Sequence, residues 1–195
     1  MNFSAVILAG GKSSRMGCDK AFVELEGQTL LARQIQRVRN AGAAEVFISG
    51  RDGVDYSACG ALVVKDQFND AGPLAGIQSA LLATLSSWLL VLAVDLPEIS
   101  EELLAKLVAN CLENAGVVPR VGGNIEPLAA IYPKAALPLA TFLLSQNMFA
   151  VKKFAELCER PGLISFMDLP ATASKLFLNC NSRAELELMG RRQTS

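Results

Sequence analysis

The chain has 195 residues and no histidine. That absence excludes Ser–His–Asp triads, histidine acid–base chemistry and histidine-ligated zinc. Neither sign of charge is in surplus: 18 Lys and Arg stand against 19 Asp and Glu, for a formal net charge of -1. A nucleic-acid binder working by bulk positive charge is thereby excluded, though a local basic site is not. The five cysteines, Cys18, Cys59, Cys111, Cys158 and Cys180, form no C-x-x-C pair. An odd count without that spacing argues against a disulfide framework or a zinc knuckle, and for reduced thiols in the cytoplasm. Residues 1–8 lack the basic start of a secretory signal. Two glycine motifs are also missing, the G-x-x-x-x-G-K-[ST] P-loop and the G-x-G-x-x-G dinucleotide fingerprint. The second absence argues against an oxidoreductase.

What is present is a globular composition, 51% hydrophobic and 19% charged. The length predicts a single domain over residues 1–195. One stretch, Ala71–Val94, carries no charge and approaches the length of a membrane span. Gly72-Pro73 and Gly76 break its start, Ser79, Thr84, Ser86 and Ser87 interrupt its apolarity, and Asp70 and Asp95 flank it. It reads instead as a helix from Pro73, with Leu74, Ile77, Leu81 and Leu85 on one face, followed by a buried strand Trp88–Val94. No membrane association is expected.

Strand and helix patterns alternate along the chain. Ala5–Ala9 is a short apolar run of the kind buried in a parallel sheet. Thr29–Ala41 reads as a helix stopped by Gly42, and Glu45–Ser49 and Ala61–Lys65 as strands. Ser100 reads as the N-cap of a helix carrying Leu103, Leu104, Leu107 and Val108. Ala115–Pro119 and Pro127–Tyr132 read as strands around a Gly-Gly turn. Lys134–Leu144 and Met148–Cys158 read as helices, Lys175–Leu178 as a last strand, and Arg183–Leu188 as a last helix. Repeated strand–helix units predict an α/β fold with one doubly wound, mostly parallel sheet.

The strongest chemical signal is the segment Leu8-Ala9-Gly10-Gly11-Lys12-Ser13-Ser14-Arg15-Met16-Gly17-Cys18-Asp19-Lys20. It follows a buried strand, and open α/β sheets bind ligands beyond the carboxyl ends of their strands. Its glycines let the backbone approach a ligand closely. Lys12, Arg15 and Lys20 add the cations that a phosphate chain needs. Asp95 directly follows the central strand, where a hard carboxylate suits Mg²⁺ shared with phosphate oxygens. Asp66 follows another strand and precedes the small-residue helix start Gly72–Gly76, where it could bind a base or ribose hydroxyl, although by itself an ordinary turn residue is the plainer reading. Arg120 and Glu126 flank the Gly-Gly turn and could line the entry of a second substrate. Asn179 and Asn181 could present amides to a polar ligand; a solvated hairpin and an Asx turn are the plainer readings of these two pairs.

The segment from Leu8 to Lys20 resembles the signature of nucleotidyltransferases with the nucleotide-diphospho-sugar transferase fold, a Rossmann-like architecture. Four further pieces fall in order: Gly72–Gly76, Asp95-Leu96-Pro97, Glu126–Tyr132 and Asn179–Leu186. As a set they resemble the molybdenum cofactor guanylyltransferases over nearly the full length. The resemblance implies an enzyme that joins the GMP part of GTP to the terminal phosphate of molybdopterin, releasing pyrophosphate, with Mg²⁺. It implies that Leu8, Ala9, Gly10, Gly11 and Lys12 contact the nucleotide, that Lys20 and Arg15 face its phosphates, that Asp66 fixes the guanosine, and that Asp95 holds the metal. Asn179 and Asn181 would lie on the acceptor side, where placement beside the Gly-Gly turn also puts Arg120. It implies a nucleotide-binding half near residues 1–98 and an acceptor half near 99–195. It also implies a cytoplasmic enzyme, with molybdoenzymes or other cofactor-biosynthesis proteins as possible partners. Family members often carry a nucleotide-binding Asn after the second strand; this chain departs from that pattern, and Ser49 is the nearest candidate for the contact. The alternatives are a molybdopterin cytidylyltransferase, a sugar-1-phosphate nucleotidyltransferase of the same fold, or a non-catalytic nucleotide- or pterin-binding chaperone.

Overall fold

The structure is a computed structural model that describes residues 1–10 and 19–180. Ten strands and five α-helices are described. In chain order they are β1 (Phe3–Leu8), β2 (Glu24–Leu25), β3 (Gln28–Thr29), α1 (Leu30–Asn40), β4 (Val46–Ser49), β5 (Leu62–Val64), α2 (Pro73–Ala83), β6 (Trp88–Ala93), α3 (Glu101–Asn110), β7 (Gly116–Val121), β8 (Asn124–Ile125), β9 (Ala129–Pro133), α4 (Leu137–Ser145), α5 (Val151–Glu159) and β10 (Ile164–Leu169). The main sheet runs β10-β7-β9-β6-β1-β4-β5, with β8 paired to β7. β1 is parallel to both β4 and β6, and β4 is parallel to β5. β9 runs antiparallel to β6 and β7, and β10 lies parallel to β7. The expectation of one mostly parallel sheet therefore holds. Strands from both sequence halves share it, since β6 pairs with β9.

Both faces of the sheet are covered, which is why the central strands read as unbroken apolar runs rather than alternating ones. Along β1, Phe3, Ala5 and Ile7 pack with α1 and α3, whereas Val6 and Leu8 pack with α2, α4 and α5. β6 divides likewise, Leu90 and Leu92 against Leu89 and Val91. Side chains of this kind, fully buried, each contribute roughly 1.5–3 kcal/mol by leaving water.

Hydroxyl caps open two of the helices, Ser100 as expected from the sequence and Thr29 in addition. The Thr29 hydroxyl accepts from the Ala32 N–H at 3.2 Å, and the Ser100 hydroxyl accepts from the Leu103 N–H at 3.2 Å. Each such cap is worth about 1 kcal/mol. Pro73 and Pro138 both sit in the first turn of a helix, where a missing N–H leaves no bond unmade. The apolar stretch 71–94 is divided between α2 and β6, and among the described residues no helix is long and apolar enough to cross a membrane. Leu85 departs from its expected place: α2 ends at Ala83, and Leu85 lies beyond it, 88% exposed.

The expected strand Lys175–Leu178 is corrected. Ala171–Phe177 is a 3-10 helix, and the last strand of the sheet is β10 instead. Phe177 is its buried residue, and Ala173 and Leu176 pack partly buried against the same core, so the apolar run reflects one helix face and not a sheet position. The helix expected at Arg183–Leu188 lies outside the described residues.

Candidate active site

Parallel pairing places the carboxyl ends of β1, β4, β5 and β6 at one edge of the sheet. The order of connection reverses around β1, which has β4 on one side and β6 on the other. Ligands of open α/β sheets bind at such a reversal. The end of β1 is fixed from both sides: the Ala9 and Gly10 N–H groups donate to the Ser49 carbonyl at 2.8 and 3.0 Å, and the Val94 N–H donates to the Leu8 carbonyl at 3.1 Å.

Ser49 closes β4 and is buried. Its hydroxyl donates to Asp66 Oδ1 at 3.1 Å. Burial pushes the Asp66 carboxyl above the ordinary carboxylate range, the Ser49 hydrogen bond draws it back, and the nearby negative charge of Asp52 raises it further. Gly76, in the first turns of α2, packs directly over this pair. A Cβ there would stand 2.3 Å from Ser49 Oγ and 2.9 Å from Leu8 Cδ2. The small-residue helix start is therefore a requirement of close approach.

Asp95 sits in the turn after β6. Its Oδ2 is 3.5 Å from Lys20 Nζ, and the two side chains keep 27% and 18% of their surface exposed. An ion pair of this length and exposure is worth only about 0.2–1 kcal/mol. Either partner can therefore exchange the other for an incoming anion or cation. The turn itself is held more firmly than its side chain. The buried Gln34 amide on α1 donates to the carbonyls of Leu96 at 2.8 Å and Ala93 at 3.4 Å, and the Cys180 N–H donates to the Asp95 carbonyl at 2.8 Å. Arg37 in turn donates to Gln34 Oε1 at 3.2 Å.

Lys20 opens a short 3-10 helix, Lys20–Phe22, capped by Asp19. Asp19 Oδ1 accepts from the Ala21 N–H at 3.0 Å, and its Oδ2 accepts from the Tyr56 hydroxyl at 3.1 Å.

Of the residues singled out in the sequence, Leu8, Ala9, Gly10, Lys20, Ser49, Asp66 and Asp95 fall at this one edge. Gly11, Lys12, Arg15 and Asn181 lie outside the described residues. Asn179 is exposed and adjoins Cys180, which holds the Asp95 backbone. Arg120 lies at the same edge but beyond β9: β7 runs parallel to β6 across that strand, and the register sets Arg120 level with Ala93. Its guanidinium is engaged by Asp168 of β10 through two bonds of 2.6 and 2.8 Å and lies over the Phe166 ring. Glu126 follows β8, and burial pushes its carboxyl upward. Sequence reading missed Gln34 and Tyr56, whose contacts cross from other elements and leave no local pattern.

A divalent cation fits this edge in one manner. Among the described residues no cluster of three or more ligating side chains occurs. Asp95 is accessible, so a cation would rest on one carboxylate together with ligand phosphate oxygens and water, the arrangement that suits Mg²⁺.

Residues 5–157 match the MobA-like NTP transferase domain. A probable molybdenum cofactor guanylyltransferase of Opitutus terrae is 39% identical over 86% of this chain and 84% of its own. The molybdenum cofactor guanylyltransferase of Vibrio parahaemolyticus is 30% identical over 96% of this chain and 94% of its own. Among solved structures, the molybdopterin-guanine dinucleotide biosynthesis protein A of Archaeoglobus fulgidus superposes with a TM-score of 0.74 at 21% identity, covering 98% of both chains. The 2-C-methyl-D-erythritol 4-phosphate cytidylyltransferase of Thermus thermophilus also gives 0.74, at 18% identity over 100% of both. The structural likenesses establish a shared fold. The relatives at 30% identity and above, matched over most of their length, narrow the assignment: the chain belongs to the molybdenum cofactor guanylyltransferase family.

Proposed function

We propose that the protein transfers GMP from GTP to the terminal phosphate of molybdopterin, forming the guanine dinucleotide form of the cofactor and releasing pyrophosphate. The observation that carries this reading is the convergence of the Ser49–Asp66 pair and the Lys20–Asp95 pair on the end of β1. One pair is suited to a nucleoside and the other to a charged phosphate chain.

Base choice follows from the donor inventory. The Ala9 and Gly10 N–H groups are engaged by Ser49, so contact with a base there falls to carbonyl oxygens. Asp66 is likewise an acceptor when ionised. Guanine presents the N1–H and 2-amino donors that acceptors require, whereas cytosine and adenine each offer only one exocyclic amine.

The acceptor phosphate is already an anion, so its oxygen attacks the α-phosphorus without a general base. One P–O bond forms to the acceptor, and the bond to the bridging oxygen breaks in line, releasing pyrophosphate. Absence of histidine is then no obstacle. Mg²⁺ held by Asp95 would neutralise charge developing on the phosphates. Lys20 turns from Asp95 toward the phosphate chain, with Lys12 and Arg15 as further cations. The chain's contribution is positioning and charge neutralisation.

Equilibrium titration with GTP, CTP and ATP in the presence of Mg²⁺ tests the reading, followed by pyrophosphate release with molybdopterin as acceptor. GTP is expected to bind in clear preference to the other two. Preference for CTP would transfer the assignment to the cytidylyl branch, and binding without pyrophosphate release under any acceptor would leave a non-catalytic binder.

A further inference from the structure

Tyr56 lies in the loop after β4, outside every motif that defines the site, yet it is 2% exposed. Its hydroxyl accepts from the Arg51 N–H at 3.1 Å and donates to Asp19 Oδ2 at 3.1 Å. A phenol can do both at once. Burial raises the Tyr56 hydroxyl above its ordinary range, and the adjacent Asp19 charge raises it further, so the donor stays protonated. The ring lies against the Gly50 backbone so closely that a Cβ at Gly50 would fall 2.1 Å from its Cε2. The Phe22 ring stacks with that of Tyr56, with centroids 5.7 Å apart and planes 16° from parallel.

These contacts tie two parts of the site together. The stretch Ser49–Arg51 holds the end of β1 through the Ser49 carbonyl, and Tyr56 is bonded to that same stretch at Arg51. On its other side Tyr56 holds Asp19, whose second oxygen fixes the Ala21 N–H. Lys20 lies between Asp19 and Ala21, so its backbone is pinned on both sides. The ammonium group nevertheless stays close enough to Asp95 to be exchanged to a ligand.

We propose that Tyr56 is a positioning residue for Lys20: acting through Asp19, it sets the lysine's starting point relative to the end of β1, and its hydroxyl contributes to GTP binding only by way of that lysine. The proposal rests on Lys20 being a phosphate contact. The ring fills space whether or not the hydroxyl is present, so removal of the oxygen alone separates positioning from packing.

The test is a double-mutant cycle on the full chain. GTP dissociation constants are measured with Mg²⁺ for the wild type, Tyr56→Phe, Lys20→Met and the double variant, with thermal melts of each. Tyr56→Phe is expected to weaken GTP about tenfold, a usual size for coupling within one hydrogen-bond network. Introduced into Lys20→Met, the same change is expected to have no further effect. A purely structural tyrosine would lower the melting temperature and weaken GTP equally in both backgrounds, and that result would overturn the proposal. So would a Tyr56→Phe variant with unaltered GTP affinity. A Lys20→Met variant that binds GTP like the wild type overturns the assignment of Lys20 itself. Loss in Lys20→Met that Tyr56→Phe multiplies overturns the positioning role alone. Asp19→Ala, run through the same cycle, gives the same non-additive pattern if the path is correct, and decides the matter should Tyr56→Phe fold poorly.

Discussion

Ser49 Oγ stands 3.1 Å from Asp66 Oδ1, and the absence of a side chain at Gly76 makes that contact possible. Alanine in place of glycine within a helix ordinarily stabilises by about 1 kcal/mol. Here the added Cβ would come within 2.7 Å of Ser49 Cβ as well as 2.3 Å of its Oγ, and Ser49 closes a buried strand. Overpacking of this kind costs about 1–3 kcal/mol. Gly76→Ala is therefore expected to be less stable in denaturant titration and to bind GTP more weakly. A more stable variant with unaltered affinity would show that α2 can withdraw at no loss.

The Asp66 carboxyl gives a pH signature with a definite sign. Its folded pKa is raised, mainly by burial, so the fold favours its protonated form. Stability from this group is present below the unfolded carboxylate pKa and is lost as pH rises through the folded one. At neutral pH Asp66→Asn is expected to melt higher than the wild type, and the difference should vanish in acid, while GTP binding weakens. Ser49→Ala removes the hydrogen bond that draws this pKa down. The pH at which GTP affinity falls off is then expected to move upward. Binding curves that superpose across pH would remove the ionised Asp66 from nucleotide recognition.

Elements with a clean period and a cap were legible from residues alone. The Gly42 stop marks the end of α1, the Ser100 cap announces α3, and the apolar run 88–94 announces β6. β10 was not legible, because its side chains from Ser165 to Leu169 are half-buried or exposed at the sheet edge, and nothing demands alternation there. The run Leu176-Phe177-Leu178 resembled a strand because apolar residues adjoin, although only Phe177 is buried. In the site, Asp66 and Asp95 were findable because they follow strands directly. Gln34 and Tyr56 were not, since a helix-face amide and a loop phenol acquire their partners only once the chain has folded.

Asp95 is held by its backbone, and its side chain is not needed for the turn. Asp95→Ala is thus expected to keep its melting temperature within a few degrees, given that such substitutions usually stay within about 0.5 kcal/mol. If the carboxylate holds a metal against the phosphates, turnover should fall about 10²–10³-fold, as for loss of one preorganised electrostatic group. Activity near that of the wild type would remove Asp95 from that role.

Two thiols are silenced by burial. Cys158 is pushed up to about 12 and Cys111 to about 11, so the reactive thiolate is scarce at neutral pH. Alkylation followed by mass mapping is expected to leave Cys158 unlabelled in the native protein and to label it after unfolding in guanidinium. Rapid native labelling of Cys158 would mean that α5 opens readily from the sheet.

Gln34 offers the sharpest separation of turn geometry from charge. Its amide is buried, carries no charge, and is the donor to the Ala93 and Leu96 carbonyls on either side of Asp95. Leucine has nearly the same volume but no donor, so Gln34→Leu leaves those carbonyls without their amide partner and takes from Arg37 its Gln34 acceptor. Each buried polar group left unsatisfied costs about 1–3 kcal/mol. The variant is expected to lose stability on that scale. It should also lose kcat, because the Asp95 carboxylate no longer starts from a fixed turn. Partial recovery by Gln34→Asn would not be expected, since the shorter amide cannot reach both carbonyls from the same helix position. A Gln34→Leu variant that loses stability but keeps full kcat would show that β6 and the Cys180 contact suffice to place Asp95.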